Sequence, residues 1–140
     1  MHDHEIILTT INARYTHTAV GLRWLRANLG GLRERAAIRE FHLGQPPLMI
    51  AEALLAGGPR LIGFGVYIWN VEAVRQVVET IKAVRPGVVV VLGGPEASYE
   101  YEGTALFEAA DYLVRGEGEL GFARLAAAIV RESLGAGGAA

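Results

Sequence analysis

Five short clusters of glycine, aromatic and polar residues recur along this 140-residue chain, each directly after a run of apolar residues. In order they read Thr9-Thr10-Ile11-Asn12-Ala13-Arg14-Tyr15, His42-Leu43-Gly44, Tyr67-Ile68-Trp69-Asn70, Gly93-Gly94-Pro95-Glu96 and Gly116-Glu117-Gly118-Glu119. Glycine crowds the fourth and fifth clusters, where a missing side chain lets a flat or extended ligand lie against backbone. Taken alone, Gly93-Gly94 reads more readily as a tight turn from strand to helix. Tyr15, Tyr67 and Trp69 could floor a flat ligand or simply pack on neighbouring loops. Arg14 suits an amide or phosphate oxygen of a ligand, or an ion pair with Glu96 or Glu117. Glu117 and Glu119 can complement the positive N-terminus of a following helix.

Several chemistries are excluded by the same residues. Gly116-Glu117-Gly118-Glu119-Leu120-Gly121 has the G-x-G-x-x-G spacing of a dinucleotide loop. It follows the last strand, however, with no βαβ unit after it, and its two carboxylates would repel a pyrophosphate. The chain has no cysteine, so disulfides, thiolate-bound zinc and iron–sulfur clusters are ruled out within it. Any metal must come with a cofactor or use His, Asp and Glu. Of the histidines, His2 and His4 are expected to fray with the terminus. His42 ends an edge strand, and His17 lies in a loop or first helical turn, where a polar contact is the expected fate. No residue is therefore assigned as a metal ligand, and none as catalytic.

The elements that carry these clusters follow from periodicity. Apolar runs at Glu5 to Ile11, Ile38 to Leu43, Leu61 to Trp69, Val88 to Leu92 and Asp111 to Arg115 alternate with segments of helical spacing, the pattern of a parallel sheet with covering helices. The third and fourth runs are continuous enough to be buried on both faces at the sheet centre, and the more polar second suits an edge. The helical stripes are Leu22, Leu25, Leu29 and Leu32, ended or loosened by Gly30-Gly31; Leu48, Ala51, Leu54 and Leu55, opened by Pro46-Pro47 and closed by Gly57-Gly58-Pro59; and Val71, Val74, Val78 and Ile81, stopped by Arg85-Pro86-Gly87. A short helix around Thr104 to Ala109 and a last helix with Phe122, Leu125 and Ile129 on one face complete the set. The expected fold is an α/β, flavodoxin-like (Rossmann-like) three-layer sandwich with a five-stranded parallel sheet in the order 2-1-3-4-5. Residues 1–134 form one domain and 135–140 a flexible tail or linker.

Composition agrees: 51% hydrophobic, 20% charged and a net charge of -2 describe an ordinary globular protein with no call for nucleic acid. No apolar run reaches the roughly 20 residues needed to cross a bilayer, and the N-terminus lacks the character of a signal peptide. The expected location is the cytoplasm. In such sheets ligands bind beyond the carboxyl ends of the strands, which is where all five clusters fall.

Four of those clusters carry a family resemblance across nearly the whole chain. Thr10-Ile11-Asn12-Ala13-Arg14-Tyr15-Thr16-His17, Val66-Tyr67-Ile68-Trp69-Asn70, Leu92-Gly93-Gly94-Pro95-Glu96 and Val114-Arg115-Gly116-Glu117-Gly118-Glu119 together resemble the N-terminal cobalamin-binding domain of cobalamin-dependent radical SAM proteins. The resemblance implies that the nucleotide tail of cobalamin is drawn off cobalt into a slot beside the central strands, with the corrin across their ends. It implies Gly65 and Tyr67 from the third strand, Gly93 and Gly94 from the fourth and Gly116, Glu117 and Gly118 from the fifth as slot residues. Glycine there permits close approach, and loop carboxylates can accept hydrogen bonds from ribose hydroxyls. Asn12, Arg14, Tyr15, Trp69, Asn70, Pro95, Glu96 and Glu119 share the same rim and complete the expected cofactor-binding set.

Two departures sharpen this. Cobalamin carriers of the methyltransferase and mutase type have D-x-H-x-x-G after the first strand, its His binding cobalt from below; here the stretch begins Asn12-Ala13-Arg14. A Ser common on their third strand is Gly65 here. The resemblance thus implies cobalamin held base-off without a histidine ligand. The radical SAM catalytic domain, with its S-adenosylmethionine and 4Fe-4S cluster, must then lie downstream or in a partner, because this chain has no cysteine. The domain alone is expected to be non-catalytic, and the tail fits excision from a longer protein. Alternatives are a degenerate docking or scaffold domain without cofactor, and a flavin domain, for which Thr9, Thr10, Thr16 and Thr18 make only a faint phosphate loop. A phosphorelay receiver fails, because it needs acids after the first strand and an Asp after the third.

Overall fold

The computed structural model describes residues 5–13, 20–27, 29–67, 69–93, 105–114 and 122–130. Five parallel strands are present: β1 (Ile6–Asn12), β2 (Ala36–His42), β3 (Leu61–Gly65), β4 (Val89–Gly93) and β5 (Tyr112–Leu113), in the order β2-β1-β3-β4-β5. This is the expected order. Helices α1 (Val20–Ala27), α2 (Pro47–Leu55), α3 (Val71–Val84) and α4 (Ala105–Ala109) alternate with the strands, and helical turns over 122–130 form α5.

Side chains alternate across a strand, so the sheet divides its apolar residues between two cores. Ile7, Ile11, Ile62, Phe64, Val90 and Leu92 pack with α2, α3 and Leu106 of α4 on one face. Ile6, Leu8, Leu61 and Val91 pack with Leu22 of α1 and with Phe122, Ala126, Ile129 and Val130 of α5 on the other. The strands β1 and β3 are buried along their whole length, whereas β2 after the buried Ala36 is partly buried or exposed, as its edge place requires.

Several features depart from the sequence reading. The α-helix of the first stripe ends at Ala27, and Leu29 and Leu32 belong to a following turn and 3-10 helix (Gly30–Arg35). Gly30 enters it at φ +61, a conformation that favours glycine and cannot continue an α-helix. Leu29 is nevertheless buried, so the stripe reaches the core through two elements. In α2, Leu48 is 59% exposed and Ile50 is buried in its place; Pro46 caps the helix and Pro47 opens it, and Leu48 lies in the first turn, outside the core that buries the later ones. The third strand stops at Gly65, four residues short of Trp69. Among the described residues no helix is long and apolar enough to cross a membrane.

Candidate functional site

The early end of β3 is set by one buried amide. Val66 N–H still reaches across to the Gly93 carbonyl at 2.7 Å, but the next donor, Tyr67 N–H, turns to Asn70 Oδ1 at 2.8 Å. Asn70 Nδ2 in turn donates to Thr10 Oγ1 at 3.2 Å and to the carbonyls of Ile11 and Gly65, both at 3.1 Å. Thr10 Oγ1 donates to the same Gly65 carbonyl at 2.9 Å. Thr10 and Asn70 are buried, and such a satisfied network fixes geometry as much as it stabilises. It ties the ends of β1 and β3 together and starts α3, whose Val74 N–H donates to the Asn70 carbonyl at 2.8 Å.

Beside this anchor one row of the sheet is bare of large side chains. Thr10, Gly65 and Gly93 are in register across β1, β3 and β4, on the face that α1 and α5 cover. Among the described residues a Cβ on Gly93 would meet nothing within 4 Å, and one on Gly65 would make ordinary contact with Thr10 at 3.4 Å and with Tyr67 Cε2 at 3.5 Å. One step back along the strands, Leu8, Gly63 and Val91 are in register, and a Cβ on Gly63 would lie 3.1 Å from Phe122 Cε1. Phe122 thus lies over Gly63, Gly65 is buried beside Thr10 and Tyr67, and Gly93 has no described residue over it.

Beyond the bare row stand the aromatics. The Tyr67 and Trp69 rings are stacked, with centroids 4.6 Å apart and planes within 4°. Trp69 is 43% exposed, and burial pushes the Tyr67 phenol above its usual range. Asn12 is buried at the end of β1, where its Nδ2 donates to Glu40 Oε1 of β2 at 2.8 Å. His42, in register with Asn12, turns Nδ1 to the Leu43 carbonyl at 2.9 Å.

The structure therefore brings Gly65, Tyr67, Trp69, Asn70 and Gly93 to one end of the sheet centre, and sets Asn12 towards the β2 edge. Arg14, Tyr15, Gly94, Pro95, Glu96, Gly116, Glu117, Gly118 and Glu119 lie outside the described residues, as does His17. Asn70 is wholly buried and its amide bonds to protein groups, so it positions the rim. Thr10, Phe122 and Glu40 were absent from the expected set. The signal for Phe122 was present in the spacing of Gly63 and Gly65, which two-residue alternation puts on one face of a strand. Among the described residues no group of three or more His, Cys, Asp or Glu could hold a metal ion. A cofactor that brings its own metal and lays a slender chain on backbone fits these residues; the bare Gly65–Gly93 pair is the cradle a Cβ would fill.

Comparison with known proteins agrees with that chemistry. No curated protein matches the sequence. A cobalamin-binding protein from Desulfitobacterium hafniense DCB-2 has a similar structure, with a TM-score of 0.62 at 14% identity, covering 89% of this chain and 58% of that one. This chain thus spans little more than half the length of that neighbour. A pilus assembly-related protein from Burkholderia pseudomallei K96243 is similar over 91% of this chain and 92% of its own, with a TM-score of 0.51 at 14% identity. At such identities the likeness is one of fold. The profile of the B12 binding domain matches residues 6–126, from the first strand into α5, and the chain belongs to the B12 binding domain family.

Proposed function

We propose that this B12 binding domain holds cobalamin base-off, its nucleotide tail lying over Gly65 and Gly93, with no protein histidine on cobalt, as the cofactor-carrying module of a radical SAM enzyme. The observation that carries the binding mode is the row Thr10–Gly65–Gly93, bare of large side chains, where a Cβ on Gly93 would meet no described residue within 4 Å while one on Gly63 would lie 3.1 Å from Phe122. When bound, cobalamin would supply a cobalt centre for methyl transfer or a related radical reaction. The chain's own part is to bind and orient: the Asn70 network holds the ends of β1 and β3 in fixed relation, Phe122 limits how deep a tail can go, and glycine lets it touch backbone. Gly94, Gly116, Glu117 and Gly118 would extend the slot from the neighbouring loops. Asn12, Arg14, Tyr15, Pro95, Glu96 and Glu119 would border the corrin.

The absence of the D-x-H-x-x-G histidine supports a histidine-off cobalt, and the four strand-end motifs support the radical SAM context. That catalytic domain would act in cis or in trans, bringing S-adenosylmethionine and the 4Fe-4S cluster that a chain without cysteine cannot hold. The test is to mix purified protein with excess hydroxocobalamin, separate the unbound cofactor and record the absorption spectrum. A retained, base-off spectrum that His17→Ala leaves unchanged is expected. No retained cofactor would overturn the reading in favour of a docking domain, and retained flavin would replace it with a flavin one.

A further inference from the structure

The amino-terminal end of the sheet, opposite the glycine row, gathers charged residues around a hollow. Arg35 precedes Ala36 of β2, Glu5 precedes Ile6 of β1 and Arg60 precedes Leu61 of β3, and those three strand residues are in register. Glu5 pairs with both neighbours, one carboxylate oxygen on Arg35 and the other on Arg60, the latter at 3.3 Å. The main chain fixes this row, since the Arg60 and Leu61 N–H groups both donate to the Glu5 carbonyl, at 2.8 and 3.0 Å. Arg85, in the turn before β4, donates from Nη1 to the Leu55 carbonyl at 3.3 Å and makes no ion pair among the described residues. These four residues border an open cavity of about 700 Å³, which Pro59, Val88, Val89 and Ile129 also line. Pro59, Val88 and Ile129 are buried, so the hollow has an apolar floor under a basic rim.

Charge decides what such a hollow takes. Among the described lining residues, three arginines against one glutamate leave an excess of two positive charges. The carboxyl ends of α2 and α3 close at this level and return about half a negative charge each, so the balance stays positive in a chain whose net charge is -2. Each guanidinium carries five N–H donors, and a single carboxylate with a single carbonyl cannot accept them all. We propose that the hollow binds a small anion with a flat apolar body, of the nucleoside diphosphate type, its phosphates on the Arg60 and Arg85 forks and its base on the floor of Pro59, Val88 and Ile129. Guanidinium forks match phosphate oxygens in pairs, and the volume is that of a small-molecule site rather than of a lone ion. Glu5 is the resident carboxylate that keeps Arg35 and Arg60 in place, and its exposed pairs are weak enough to be exchanged for a ligand. The site is separate from the one proposed for cobalamin: β1 and β3 run between the two, and no residue of the Thr10–Gly65–Gly93 row lines this cavity.

The test is isothermal titration calorimetry of the full chain with ADP, adenosine and inorganic pyrophosphate at fixed ionic strength, with the folding of each variant checked by its urea midpoint. ADP should bind saturably, pyrophosphate more weakly for want of a ring, and adenosine not measurably. Arg60→Gln and Arg85→Gln should each weaken ADP binding by about tenfold. Arg85→Lys should weaken it too, because it keeps the charge and loses the fork. Arg39→Gln, which removes an exposed cation of β2 outside the hollow, should leave it unchanged. No saturable heat with ADP would overturn the inference and leave the cobalamin reading untouched. So would adenosine binding as tightly as ADP, or arginine variants that bind ADP like wild type, which would put the nucleotide elsewhere on the chain.

Discussion

Gly63 and Gly93 lie on the same face of the same sheet, on neighbouring strands one register step apart, and they are glycine for opposite reasons. At Gly63 the space of a side chain is taken by the Phe122 ring, which would stand 3.1 Å from a Cβ. The chain itself explains that glycine, because α5 must come down onto β3. At Gly93 the space of a side chain is free of described residues within 4 Å, and its φ is not positive. Among the described residues neither packing nor backbone conformation demands a glycine there, and the proposed function supplies a reason in the ligand. Gly65 lies between them in kind, with room for a small side chain against Thr10.

That contrast can be broken in several places. The largest effect is expected from Phe122→Ala, which empties the space over Gly63 and should lower stability by about 3–5 kcal/mol, read from the urea midpoint. Asn70→Ala strands the Tyr67 N–H and removes the donor that Thr10 Oγ1 and the Ile11 and Gly65 carbonyls share, and should cost about 1–3 kcal/mol while weakening cofactor retention as well. Gly63→Ala should destabilise by about 1–3 kcal/mol through overpacking. In a Phe122→Leu background, which removes the ring atoms nearest that Cβ and leaves Leu8 Cδ2 at 3.3 Å, the same change should cost less; an undiminished cost in this double-mutant cycle would sever Gly63 from Phe122. The smallest effect is Gly65→Ser, which should leave the urea midpoint where it is, since its Cβ meets Thr10 at an ordinary 3.4 Å.

Much of the architecture was legible in the sequence because continuous apolar runs mark central strands and a polar one marks an edge. What periodicity misses is decided by single side chains. The third run is apolar through Trp69, yet β3 ends at Gly65 because the Asn70 amide captures the Tyr67 N–H. The first leucine stripe looks like one helix because its turn and 3-10 turn keep Leu29 on the buried side. Within the site, Gly65, Gly93, Tyr67 and Trp69 could be read from their place after apolar runs. The distinction between a packing glycine and an open one could not, because it depends on Phe122, which belongs to another element and is far along the chain.

The central claim is that the bare row is a bed for the cofactor, and Gly93→Val tests it most directly when urea midpoint and hydroxocobalamin retention are measured on the same samples. A side chain at a compatible backbone position restricts the unfolded chain and should keep or raise stability, by about 0.4–1 kcal/mol for the smaller Ala. The expected result for Gly93→Val is a midpoint equal to or above wild type together with at least tenfold weaker retention, which corresponds to about 1.4 kcal/mol of binding. Retention equal to wild type in a folded Gly93→Val protein would contradict the account.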